Sequence, residues 1–65
     1  MEGSELGNEF ARFLASAKEH IAQIDTLVEQ QKWGEVAVSA QKAAIDLSSA
    51  GYDAGLLRLI YEKDR

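Results

Sequence analysis

His20 is the single imidazole in these 65 residues, and the spacing around it works against catalysis. Along a helix it shares a row with Phe13 and Leu27, each seven residues away, which puts it at the edge of an apolar face. A general base needs an oriented partner and a reacting group within reach. His20 instead reads as a core-edge residue, its second ring nitrogen hydrogen-bonded. Asp25 and Glu29 stand one helical turn apart, as do Glu5 and Glu9. Such pairs hold a cation or share a proton when buried; at polar-face positions they read as solvated charges. Ala17 stands three residues before His20, so the Glu-x-x-His pair of a carboxylate-bridged di-metal centre is missing. The glycine pairs Gly3/Gly7 and Gly51/Gly55 follow no strand and form no phosphate loop. There is no cysteine, hence no disulfide and no thiolate metal site. The expectation is a non-enzymatic protein with no catalytic residue, metal or cofactor.

The elements that hold these residues are read from two apolar seams. The first runs Phe10, Leu14, Ala17, Ile21, Ile24, Val28, with Phe13, His20 and Leu27 as a third row beside it. The second runs Trp33, Val36, Ala40, Ala43, Leu47, Ala50, Ala54, Leu57, Tyr61. Steps of three and four predict helices, and the short interval around Lys32, Trp33 and Gly34 predicts a tight turn. The fold class is therefore all-α, an antiparallel helical hairpin, in a single domain over residues 1–65. Ser4 or Asn8 is placed as the cap of the first helix, over about 5–31. Trp33 is expected to fold over the end of the hairpin. Between 47 and 55 two readings compete. Gly51 as a left-handed cap and Asp53 as an N-cap give helices at about 33–50 and 54–63. A seam kept in register across the glycines gives one continuous second helix. The punctuation of Ser-Ser-x-Gly and Asp-x-Gly favours the break.

Composition narrows the function classes. Apolar residues make up 46% of the chain and recur periodically, which excludes a disordered tail. No apolar run reaches the ~18 residues of a membrane span, and the acidic start Met1-Glu2-Gly3-Ser4-Glu5 is unlike a signal peptide. The expected location is the cytoplasm, with no membrane partner. Net charge is −4, all of it on residues 1–31, where Glu2, Glu5, Glu9, Glu19, Asp25 and Glu29 outweigh Arg12 and Lys18. A nucleic-acid surface needs a basic stripe, so no nucleic-acid partner is expected.

The stretch from Lys32 to Ala44 resembles the second helix of a tetratricopeptide hairpin, over about 15 residues. It is also similar to the second helix of histidine phosphotransfer domains. Gln41 occupies the phosphoacceptor position there, which excludes phosphotransfer. Its Ala40-Gln41-Lys42-Ala43-Ala44 segment resembles helical domains of the HEPN type, without their catalytic signature. The triplet Ala11-Arg12-Phe13 and the length are similar to the plasmid RNA-binding hairpin Rop, whose basic first helix is acidic here. Four unrelated families share these features because they are generic to helical hairpins, and none is adopted.

A surplus remains after the hairpin is built. Val38, Ile45 and Tyr52 form a second apolar row on α-helical steps of seven, away from the Trp33–Leu47 seam. Leu56, Leu59 and Ile60 extend it. A helix that is apolar on two faces is buried on two faces. The cover is a third helix, a second copy making a helical bundle, or another protein. So short a chain buries only ~60% of its unfolded surface, which favours a homodimer. The function expected is a small regulator, of the kind phages and plasmids encode, which inhibits or adapts a protein with a basic surface, such as a transcription factor. Its partner-binding residues, or those of the dimer interface, are Trp33, Val38, Ile45, Tyr52, Leu56, Leu59 and Ile60. The alternative is a structural dimerisation domain with no regulatory activity.

Overall fold

The computed structural model describes residues 2–62, with side chains from 4 onward. It is an antiparallel hairpin of two helices, α1 (Glu2–Glu29) and α2 (Trp33–Tyr61). The hairpin forms a rod of 49 × 17 × 14 Å. At 1.5 Å per residue each helix is about 42–44 Å long, so the two are matched in length and packed side by side. No helix of the described residues is long and apolar enough to cross a membrane.

Both helices outrun the boundaries expected from sequence at their glycine-rich ends. α1 begins at Glu2, so Ser4 and Asn8 lie inside it rather than capping it. α2 runs without a break through Gly51 and Gly55, and the separate helix 54–63 does not exist; position 63 lies outside the described residues. Neither glycine takes a positive φ, and Asp53 is a buried helix residue instead of an N-cap. Each glycine costs only ~1 kcal/mol relative to alanine. The contacts of Ala50, Asp53, Leu56 and Leu57 on either side, all wholly or partly buried, offset that cost.

The turn also differs from expectation. Gly34 is helical, and the left-handed residue is Gln31, at φ 57°. Gln31 N–H donates to the Val28 carbonyl at 2.9 Å and Lys32 N–H to the Leu27 carbonyl at 3.0 Å. This crossed pair of bonds is the Schellman closure of a helix C-terminus, built on glutamine where glycine is usual. Lys32 then hands its carbonyl to the Val36 N–H at 2.9 Å and α2 begins.

The packing face follows half of each expected seam. On α2 the spine Val36, Ala43, Ala50, Leu57 lies inward as expected. Its flank is Ser39, Asp46 and Asp53, where Ala40, Leu47 and Ala54 were expected and are exposed. On α1 the spine Phe10, Ala17, Ile24 faces inward, flanked by Phe13, His20 and Leu27, whereas Ile21 and Val28 are exposed. Both helices have turned one position toward the same side. Small side chains explain why this is sterically open: Ala17, Ser39, Ala43 and Ala50 are buried and let the helices approach closely. The consequence is that no large apolar side chain among the described residues is fully buried.

Candidate functional site

Two polar contacts cross the helix interface, where the sequence pattern predicts apolar ones. His20 Nε2 on α1 lies 3.7 Å from Asp46 Oδ2 on α2, with both side chains about four-fifths buried. That separation is too long for a hydrogen bond. His20 Nδ1 and Asp46 Oδ2 are both buried and have no hydrogen-bond partner. His20 is thus at the core edge as expected, but the hydrogen bond expected of its other nitrogen is not made.

The second contact joins Glu9 to Asp53. The Glu9 carboxyl is held above the ordinary carboxylate range, first by the hydrogen bond to Asp53 and then by that residue's negative charge; burial adds to this and Arg12 opposes it. Glu9 therefore releases its proton less readily than a free glutamate does. Asp53 is only 2% exposed, and its Oδ2 is buried with no partner. Glu9 is therefore no free surface charge of a Glu5/Glu9 pair, as its spacing suggested. Asp25 and Glu29, in contrast, are exposed as expected. Nothing in the sequence spacing pairs Glu9 with Asp53, since they meet only once the hairpin closes. The one available signal was that Ser39, Asp46 and Asp53 recur at steps of seven, each three residues after a member of the apolar spine.

Outside this seam the expected contact residues are mostly uncovered. Ile45 is 66% exposed and Tyr52 70%, with Val38 and Leu59 more than half exposed on the same row. Ile60 is exposed and Leu56 is partly covered. Trp33 is 61% exposed and does not fold over the hairpin end, a correction that follows from the rotation of α2. A groove of about 530 Å³ is lined by Glu5, Leu6, Glu9, Leu56, Leu59 and Ile60. A pit of about 330 Å³ adjoins it, lined by Glu9, Phe13, Ser48, Ser49, Tyr52 and Asp53. Glu9 is common to both, so row, groove and pit form one continuous surface. Among the described residues no group of three or more His, Cys, Asp or Glu side chains could hold a metal ion.

These features define a class, the two-helix antiparallel hairpin with a polar seam and an uncovered apolar row. No family model matches the chain, and comparison with curated proteins and with solved structures finds no match.

Proposed function

We propose that this chain is a small non-enzymatic regulator that binds another protein through the Val38–Ile45–Tyr52–Leu59 row. The observation that carries the reading is the exposure of that row along α2, next to the groove formed with Leu56 and Ile60. Contiguous apolar surface on a small water-exposed hairpin marks a place for cover. Laying such a stripe along a partner's groove occludes whatever that surface does, which is how a protein without catalytic groups inhibits or adapts. The negative charge of α1 steers the encounter toward a basic surface.

The test compares wild type with Ile45→Glu, immobilised against an extract of the native host. A protein retained by wild type and lost by Ile45→Glu, with amides 38–59 protected in the complex, fulfils the proposal. Equal retention by both sinks it. The expected loss is roughly 30-fold or more in affinity, the usual cost of a central interface position.

A second reading, assembly by self-pairing, is favoured by a separate observation. Ile21, Val28 and Leu47 are exposed large apolar residues outside the row. A second copy covering them would leave the row free.

A further inference from the structure

The pit beside Tyr52 offers a chemistry that an apolar docking segment alone would leave unused. Asp53 lies on its wall, almost wholly buried, with Oδ2 lacking any hydrogen-bond partner. Leaving a buried carboxylate oxygen bare is among the costlier defects a small fold can carry. Glu9 faces it from α1, and Phe13 and Tyr52 add aromatic rings to the lining, with the hydroxyls of Ser48 and Ser49 beside them. Acid, ring and hydroxyl together suit a cationic head carried on an apolar stem. The two acids have no third His, Cys, Asp or Glu beside them to complete a metal site among the described residues.

Resting on the reading of the row as a protein-docking surface, we propose that the pit between Glu9 and Asp53 receives a basic side chain, arginine or lysine, projecting from an otherwise apolar segment of the partner. Charge complementarity selects this occupant: the pit is lined by two acids and no base, on a chain of net charge −4. Geometry supplies the flanks. Glu9 also lines the groove of Leu6, Leu56, Leu59 and Ile60, so apolar residues beside the basic one find their own cover. A second copy of this chain offers Arg58 among Leu56, Leu57, Leu59 and Ile60, but it brings the same two acids and the same negative charge to the contact. The basic guest sets its positive charge against the Glu9 and Asp53 carboxyl groups and supplies the donor that buried Asp53 Oδ2 lacks once the pit opens to admit it.

The test uses n-butylguanidinium as a free arginine side chain, its neutral isostere n-butylurea, and two peptides. One peptide is a short amphipathic helix with a single arginine among leucines; the other has glutamine in its place. Amide shifts are followed on wild type, Asp53→Asn and Glu9→Gln, each checked for helicity by circular dichroism. Saturable shifts centred on Ser49, Tyr52 and Asp53 are expected with butylguanidinium, absent with butylurea and lost in Asp53→Asn. The arginine peptide is expected to bind roughly ten-fold tighter than the glutamine peptide, the worth of one charge-assisted hydrogen bond. Shifts spread evenly over Asp25 and Glu29, or surviving Asp53→Asn, reduce the effect to surface ion pairing and overturn the proposal. Equal binding of the two peptides also overturns it, while leaving the row as a docking surface. Butylguanidinium binding that the peptide does not improve overturns the partner segment and leaves a small-cation pit.

Discussion

At the residue scale, the polar seam is where stability is given up. Three buried polar atoms, on His20, Asp46 and Asp53, have no hydrogen-bond partner, and each such atom costs on the order of 1–3 kcal/mol. The Glu9–Asp53 pair adds a pH dependence whose sign is fixed. Glu9 is raised above 4.5, its ordinary value, so the folded state holds its proton more tightly than the unfolded chain. That contribution is fully present below pH 4.5 and is lost as pH rises through the folded value. The groups acting on Glu9 are Asp53 on α2, which raises it, and Arg12 on its own helix, which opposes the shift. Thermal melts of Asp53→Asn against wild type are expected to show a higher Tm for the variant at pH 7, because the substitution removes the charge that raises Glu9. The gap should close on acidification toward pH 4.5. A variant that melts lower at neutral pH would show the pair to be stabilising.

At the element scale, glycine stands where the fold has no need of it and is missing where it does. Gly51 and Gly55 have nothing within 4 Å of an added Cβ and lie in ordinary helix. Gln31 carries the left-handed turn that closes α1. Gly51→Ala is therefore expected to stabilise by about 1 kcal/mol through lower chain entropy in the unfolded state. Gln31→Gly should gain a similar amount by removing the Cβ penalty at positive φ. Denaturant midpoints read both, with m unchanged. A loss at Gly51→Ala would mean that α2 uses its glycine to bend or open. The same local signs misled the sequence reading: Ser-Ser-x-Gly reads as a helix end, but packing on both sides of it carries the helix through.

At the scale of the whole molecule, the hairpin leaves two apolar surfaces uncovered, the Ile45 row and the flank of Ile21, Val28 and Leu47. A hairpin with only Ala17, Ala43 and Ala50 as buried apolar residues among those described has little core of its own. Light scattering is expected to give twice the chain mass for wild type and for Ile45→Glu, and a folded single chain for Leu47→Glu. That pattern leaves the row free for a partner. A monomeric wild type removes the self-pairing reading. A dimer that Ile45→Glu alone dissociates makes the row a self-interface and removes the partner reading.

The division between what could be read and what had to be seen falls along the helix spines. Apolar steps of three and four determined the helical hairpin and the inward spines Phe10–Ala17–Ile24 and Val36–Ala43–Ala50–Leu57, while the turn, expected at 32–34, lies at 30–32 and the expected break at Gly51 is absent. The exposed row of Val38, Ile45 and Tyr52 was equally legible, because no partner for it exists within two helices. Only the tertiary structure decided which flank accompanied each spine. Positions 39, 46 and 53 and positions 40, 47 and 54 adjoin the spine equally closely, on opposite sides. Hydrophobicity favours the second set, and close approach of small side chains opens the first. That choice depends on both helices at once, and it brought Glu9 to Asp53 and His20 to Asp46.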